Sequence, residues 1–328
     1  MKTPLALIAT TLLAASIGTA VAAAPSDQPA PLRPVADFLK ALNSGGGTPI
    51  EQLSPAQARQ VLTNAQANTP LPAADVSRKT IQANGKPLNL VIVRPPHSTG
   101  RVLGDFPTHE RLIRDLVNAS GAAAVYVDYT PSPEAHYPVA IHQAYAATRW
   151  VAEHGTEIGV DGQRLALAGN SVGGNMVAAV ALQAKAAGTP ALRYNLMLWP
   201  VTDAAFDNDS YQRYQSGYFL SRTMMTWFWD NYTTDSKARA EITASPLRAT
   251  STQLAGLPPT LIQTAELDVL RDEGEAFGRK LDQAGVQVTV TRYNGLIHDY
   301  GLLNALRDVP AVRDAIRQAG DGLREHLK

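Results

Sequence analysis

Short apolar strands alternate with longer helices along most of the chain, and this alternation restricts the possible folds more than any other feature. Strands are predicted at residues 121–127, 165–168, 195–198, 260–264 and 286–293, and helices at 108–117, 137–153, 172–187, 270–284 and a last one ending near Leu327. Because strands joined through helices run parallel and need both faces covered, the pattern predicts an α/β fold with a mostly parallel sheet. Two further strands, 76–81 and 88–94, flank Asn84-Gly85, which is typical of a tight hairpin turn.

The first 22 residues have the pattern of an export signal. Lys2 gives a positive start, residues 5–17 are apolar and uncharged, and Ala20-Val21-Ala22 supplies small residues at a cleavage site. The apolar run is short against the roughly 20 residues of a bilayer span, and an uncleaved membrane anchor is the alternative. We expect a periplasmic or secreted protein with no stable membrane span. Residues 23–34 hold four prolines and predict a flexible lead-in, followed by two helices at 35–42 and 55–67.

The composition excludes several classes of protein. With 29 basic and 29 acidic residues the net charge is zero, so nothing indicates a nucleic-acid partner. Without cysteine the chain has no disulfide, no thiolate metal site and no cysteine nucleophile. His136 and His142 lack metal-ligand spacing and no metalloprotease or calcium-loop motif is present, so we predict no metal and no cofactor. His109 is expected on the polar surface.

Gly169-Asn170-Ser171-Val172-Gly173 lies between a predicted buried strand and a predicted helix. A serine hydroxyl becomes a useful nucleophile when the backbone projects it clear of the sheet and a base lies nearby. A tight strand-to-helix turn does the first, and the two flanking glycines give the room that this turn needs. The N-terminus of the helix places the backbone N–H groups of Val172 and Gly173 where they can stabilise an oxyanion.

A dinucleotide phosphate loop is the competing interpretation of this turn, and the sequence excludes it. That motif needs the spacing G-x-G-x-x-G and an acidic residue about 20 positions further on. Residues 176–202 contain no Asp or Glu, and the glycines at 169, 173 and 174 have a different spacing.

A base and an orienting acid are expected downstream, each after a strand. Only His298 and His326 follow the serine, and His326 belongs to the terminal helix, so His298 is the predicted base. Asp268, which follows the strand at 260–264, is the predicted acid. Asp272 and Glu273 lie one turn into the next helix and are expected to cap it or face water, whereas Asp299 is too close along the chain to curl back to the His298 ring.

These motifs together resemble the hormone-sensitive-lipase group of α/β-hydrolase esterases, from about residue 35 to the C-terminus. The resemblance rests on Gly169–Asn175, Asp128-Tyr129, Pro133-Glu134, Tyr137-Pro138, Leu257-Pro258-Pro259, Asp268–Gly274 and His298. It implies a serine esterase for short- to medium-chain esters, with Ser171, Asp268 and His298 as the catalytic triad. It also implies a hydrolase core at residues 76–202 and 251–328, and a helical cap from 35–75 and 203–250. Asn170 stands where the group often has Asp.

The aromatic-rich stretch at residues 206–232 falls within the expected cap. Its rings either line a substrate pocket or pack the inserted segment onto the sheet, and the sequence leaves both interpretations open. Tyr300 is a further candidate for lining the pocket, whereas Trp199 is expected to pack in the core.

One feature of the group is missing from the sequence, the His-Gly-Gly-Gly segment that ends a central strand and supplies oxyanion donors. Residues 95–100 pass directly to Arg101, so about a dozen residues of the group's pattern are absent there, through a truncated gene model or a natural deletion. Losing one such donor costs about 10²–10³ in rate. We therefore expect either an esterase or a catalytically impaired or non-catalytic binding protein, and an acyltransferase is a further option. One possible repair would move residues 88–94 beside the strand at 165–168, with Gly100 or Gly104 lending an N–H.

Overall fold

A computed structural model describes residues 29–66, 69–96 and 106–328 of the chain. The predicted export signal therefore lies outside the described residues. At the end of the predicted lead-in, the Leu32 N–H donates to the Gly295 carbonyl (3.0 Å) and the first helix starts at Arg33. Within these ranges, the helices longer than six residues are α1 (Arg33–Ser44), α2 (Pro55–Gln66), α3 (Pro107–Ser120), α4 (Val139–His154), α5 (Val172–Ala187), α7 (Arg222–Tyr232), α10 (Arg271–Gln283) and α11 (Pro310–His326).

Three strands at the start of the described core form an antiparallel sheet in the order β1-β2-β3, with bounds Asp75–Ala83, Lys86–Arg94 and Ala124–Asp128. The predicted hairpin is confirmed, since β1 and β2 pair along their whole length. Asn84 and Gly85 both have positive φ, 52° and 74°, as the tight turn between twisted strands requires.

Four strands form the parallel sheet that the alternation predicts, in the order β4-β5-β6-β7. Their bounds are Ala166–Asn170, Tyr194–Leu198, Thr260–Leu267 and Val288–Ile297. Strands β6 and β7 run three and four residues past their predicted ends at 264 and 293. Because parallel strands end at one edge of the sheet, the residues that follow β4, β6 and β7 are brought together there.

Helices cover both faces of the parallel sheet, and alternating residues of β5 and β6 point to opposite sides. Leu196, Leu198 and Leu261 belong to a core shared with α3 and α11. Met197 and Ile262 belong to a second core shared with α5 and α10. Both strands are buried almost along their whole length, because helices cover each face of the sheet.

Among the described strands, no ladder joins β3 to β4, the position at which the missing glycine-loop strand is expected. The proposed repair is wrong: β2 is held between β1 and β3 and does not pair with β4. Gly100 and Gly104, the donors suggested for that repair, lie outside the described residues.

The segment between β5 and β6 contains the short helices α6 (Asp209–Arg213), α8 (Ser236–Ala240) and α9 (Ser251–Leu254) in addition to α7. Its aromatic rings pack mainly on one another: Phe206 lies edge-on to Tyr211 and to Trp229, with centroids 5.6 and 6.4 Å apart. The segment also contacts the connection between α1 and α2, where Thr223 Oγ1 donates to Glu51 Oε1 (2.7 Å).

No helix within the described ranges is both long and apolar enough to cross a bilayer.

Candidate active site

Ser171 lies at a sharp turn between β4 and α5. Its backbone has φ 52° and ψ −118°, a conformation that L-residues rarely adopt. Two hydrogen bonds hold this turn, from Ser171 N–H to the carbonyl of Leu198 at the end of β5 (2.9 Å) and from the N–H of Val201, just after β5, to the Ser171 carbonyl (3.1 Å). The end of the neighbouring strand and the loop after it therefore support the strained residue on both of its peptide groups.

The glycines of the turn have unequal roles. A Cβ at Gly169 would lie within 3.0 Å of three backbone atoms of Gly173, so strand and helix approach too closely for any side chain there. At Gly174 a Cβ would lie 2.6 Å from Pro200 Cβ, whereas at Gly173 it would meet nothing within 4 Å. The prediction that both flanking glycines give room thus holds for Gly169 but is wrong for Gly173, and Gly174 is the second crowded position.

The structure brings Ser171, Asp268 and His298 together at the carboxyl edge of the parallel sheet. Asp268 directly follows β6 and His298 directly follows β7. His298 Nδ1 lies 2.7 Å from Asp268 Oδ2, and His298 Nε2 lies 3.0 Å from Ser171 Oγ. Because a carboxylate can only accept, Nδ1 carries the proton and Nε2 is free to accept one from the serine.

Both partners of the serine are buried, His298 to 2% exposure and Asp268 to 1%. Burial opposes the charged imidazole, but the nearby carboxylates of Asp268 and Asp299 outweigh it and raise the pKa of His298. The second oxygen of Asp268 accepts the Leu270 N–H at 3.0 Å, which fixes the carboxylate in position.

Asp299 approaches the opposite side of the imidazole, which the sequence reasoning excluded. Its Oδ1 lies 3.8 Å from His298 Nε2, although the Nδ1 partner is indeed Asp268. The same oxygen accepts the Trp199 indole N–H at 2.8 Å and lies 3.4 Å from Asn170 Nδ2. Trp199 is buried as expected, but this bond to the site was missed.

Two other residues differ from their expected positions. His109 is not a surface residue: it is half-buried, and burial lowers the pKa of its imidazole against the opposing charge of Asp299. Glu273 neither caps α10 nor faces water. It is 3% exposed and accepts the backbone N–H groups of Thr202 (2.6 Å) and Asp203 (3.2 Å), while burial raises its pKa well above the usual range.

Asp272, the neighbour of Glu273, was also expected to cap its helix or face water. It instead accepts the Ser210 N–H at 2.8 Å, which ties the start of α10 to the inserted segment. Tyr300, the candidate for lining the pocket, is fully buried and donates to Gln263 Oε1 at 3.1 Å, so its hydroxyl is used inside the core.

Val172 and Gly173, the predicted oxyanion donors, are the first two residues of α5. Backbone N–H groups in the first turn of a helix have no intrahelical acceptor, and they point toward the region beyond the N-terminus. Val172 is 47% exposed, so the start of this helix is open to an incoming molecule.

Comparison with known proteins agrees with this geometry. Residues 96–302 match the model of a family described by its alpha/beta hydrolase fold. An ethyl acetate hydrolase of Pseudomonas putida is 31% identical over 306 residues, covering 87% of this chain and 94% of that relative. The carboxylesterase NlhH of Mycobacterium tuberculosis is 35% identical over 231 residues, covering 69% of this chain and 71% of that relative.

Solved structures show the same likeness. The crystal structure of a thermostable esterase from Pseudomonas putida ECU1011 is 63% identical, with a TM-score of 0.89 over 92% of this chain and 99% of that one. A hyperthermophilic esterase from Pyrobaculum calidifontis is 31% identical, with a TM-score of 0.80 over 90% and 98% of the two chains.

The fold and the family match define the class: the chain belongs to the α/β-hydrolase family. Within that class its esterase relatives identify it as a member of the hormone-sensitive-lipase group of carboxylic ester hydrolases.

Proposed function

We propose that this protein is a serine carboxylesterase that hydrolyses short- to medium-chain esters through an acyl-enzyme. The observation that carries the proposal is the continuous chain of contacts from Ser171 Oγ to His298 Nε2 (3.0 Å) and from His298 Nδ1 to Asp268 Oδ2 (2.7 Å). The presence of an ethyl acetate hydrolase among the relatives supports small acyl and alcohol groups.

In the acylation step, Ser171 Oγ attacks the ester carbonyl carbon while its proton moves to His298 Nε2. The Asp268 carboxylate keeps the imidazole in the required tautomer and stabilises the imidazolium that forms. The tetrahedral intermediate then collapses, the C–O bond to the alcohol breaks, and His298 gives its proton to the leaving alkoxide. Water repeats the sequence on the acyl-enzyme, releasing the acid and restoring Ser171.

The negative oxygen of the intermediate needs hydrogen-bond donors, and we assign this role to the backbone N–H groups of Val172 and Gly173. Their position at the first turn of α5 adds the favourable end of the helix dipole.

A second candidate function is a binding protein with impaired or no turnover. The observation in its favour is the lack of a ladder between β3 and β4 among the described strands, where the glycine-rich donors of this group are expected. One lost donor corresponds to a rate lower by about 10²–10³, so this candidate would bind esters but hydrolyse them slowly or not at all.

Hydrolysis of p-nitrophenyl acetate, butyrate and octanoate by the protein separates the two candidates. The Ser171→Ala variant is expected to lose about 10⁴-fold or more in kcat/KM, whereas Ser236→Ala, an exposed serine on α8, keeps the full rate. Equal rates for the protein and for Ser171→Ala, or no rate in either, would refute the esterase proposal and favour binding.

Covalent labelling tests the acyl-enzyme route itself. A fluorophosphonate ester is expected to add to Ser171 alone, detected by mass spectrometry of the peptide that contains it. The Asp268→Asn variant is expected to label far more slowly, because its imidazole no longer has the right tautomer. Labelling at another serine would refute the assignment of the nucleophile.

We also propose that the protein is exported and cleaved after Ala22, on the support of the positive start, apolar run and small residues of the N-terminus. The intact mass of the protein recovered from the periplasmic or extracellular fraction checks this. A chain that retains residue 1 in a membrane fraction would contradict it.

A further inference from the structure

Asp299 lies in the loop after β7 that carries the proposed base His298, and it contacts the ends of β4 and β5. Asn170 is the last residue of β4 and directly precedes Ser171, and Trp199 directly follows β5. The Oδ1 atom of Asp299 lies 2.8 Å from Trp199 Nε1, 3.4 Å from Asn170 Nδ2 and 3.8 Å from His298 Nε2. One carboxylate oxygen therefore faces three groups that belong to three different strand ends.

The backbone around this contact is strained. Ser171, Trp199 and Asp299 have φ of 52°, 36° and 58°, in the left-handed region that non-glycine residues rarely occupy. Residues in this region are energetically disfavoured and persist where surrounding contacts hold them. The bonds made by Asp299 connect two of these strained residues directly and reach the neighbour of the third, so they contribute to holding the site together.

We propose that Asp299 is a positioning residue for His298, and that Asn170 is its required neutral partner. This inference rests on the proposed esterase function, in which Nε2 of His298 receives the serine proton. The Asp299 carboxylate approaches the side of the ring that faces Ser171, whereas Asp268 holds the other side. The two carboxylates thus lie near opposite nitrogens of the imidazole: Asp268 is hydrogen-bonded to Nδ1, and Asp299 Oδ1 lies 3.8 Å from Nε2.

The asparagine at position 170 matters because its amide side chain carries no charge. An aspartate there would place a second carboxylate within about 3.4 Å of Asp299, and like charges at that separation oppose each other strongly. An asparagine of the same shape instead offers an N–H donor. The pair Asn170–Asp299 therefore gives the site one negative charge beside Nε2 and no repulsion.

Other ionisable groups around His298 and its carboxylates set the background for a titration. Those facing the two acids are His109 from α3, Tyr211 from α6, Glu273 from α10 and the adjacent Tyr300. Because none of them is altered in the test below, changes among the variants report on positions 170 and 299.

The test compares Asp299→Asn, Asn170→Asp and the charge-exchanged double variant N170D/D299N. In a Ser171→Ala background, the His298 imidazole is titrated by NMR, which needs no esterase activity. Asp299→Asn is expected to lower the pKa of His298, Asn170→Asp to raise it, and the double variant to bring it back toward the starting value. Asp308→Asn, which removes an exposed carboxylate, is the matched control and leaves the titration unchanged.

In the active chain the same order is expected in the pH dependence of kcat/KM. The acidic limb moves to lower pH in Asp299→Asn and to higher pH in Asn170→Asp, since a base with a higher pKa stays protonated over a wider range. We expect Asn170→Asp to lose about tenfold in kcat/KM at neutral pH, with most of it recovered in N170D/D299N.

The exchange makes the inference refutable. An unchanged titration in Asp299→Asn would overturn it, as would a double variant N170D/D299N that does not recover the loss of kcat/KM caused by Asn170→Asp. If Asp299→Asn does not fold, Asn170→Asp and the double variant still decide. If the chain hydrolyses no ester, the proposed function fails while the titration in the Ser171→Ala background still tests the charge pair.

Discussion

Replacement of Gly169 by alanine tests the claim that the nucleophile turn depends on close contact between β4 and α5. The new Cβ would lie within 3.0 Å of the O, C and Cα atoms of Gly173, whereas ordinary contact begins at 3.4 Å. All three atoms are backbone, so no side chain can rotate away to relieve the overlap. Either the first turn of α5 moves or the end of β4 does.

The expected cost follows from measured overpacking. Extra methyl groups in packed sites cost about 1–3 kcal/mol, and a clash with backbone belongs at the upper end, about 3 kcal/mol. With a guanidinium m-value of about 6 kcal/mol/M, this lowers the unfolding midpoint by about 0.5 M. Because Ser171 lies on the displaced turn, kcat/KM is expected to fall by at least about 10²-fold.

Gly173→Ala is the matched control, since its Cβ would meet nothing within 4 Å. Alanine is the better helix former, so this variant is expected to be more stable by about 0.5–1 kcal/mol. Guanidinium unfolding followed by circular dichroism measures both variants. Wild-type stability in Gly169→Ala, or equal damage in Gly173→Ala, would refute the reasoning.

Three further predictions concern the ionisable groups of the site. Because nearby carboxylates raise the pKa of His298, activity is expected to fall with decreasing pH through a midpoint above about 6.5; a pH–rate profile with a lower midpoint would contradict this. Asp268→Asn should keep the fold and lose about 10⁴-fold in kcat, and a loss under tenfold would exclude it as the orienting acid. Burial favours the protonated carboxyl of Glu273, so Glu273→Gln should change the unfolding free energy by less than about 1 kcal/mol. Glu273→Ala, which leaves the two backbone N–H groups without an acceptor, should cost about 2–4 kcal/mol. Equal effects of the two variants in thermal melts would argue against this.

The site residues that the sequence predicted share one property: each lies next to the end of a recognisable strand. Ser171 sits in a local motif, and His298 was one of only two downstream histidines. Strand ends in a parallel sheet converge at one edge. The position of Ser171, Asp268 and His298 directly after predicted strands was therefore enough to predict that they would be neighbours.

The residues that were missed or misjudged depend on partners far along the chain. Asp299 meets Trp199 across 100 residues and Asn170 across 129, and Glu273 receives two N–H groups from the loop after β5. No local pattern reports such pairs. A side chain at Gly174 would likewise clash with Pro200, which follows a different strand, β5.

The amino-acid sequence by itself determined the α/β class, the hairpin at Asn84-Gly85 and the three residues proposed for catalysis, because periodicity, turn chemistry and the ends of strands are visible in neighbouring residues. The tertiary structure decided what surrounds them. It placed β2 between β1 and β3, distinguished the crowded Gly169 from the open Gly173, and put the Asp299 carboxylate near Nε2 of His298. Such features arise from distances between chain segments that become neighbours only after the sheet has formed.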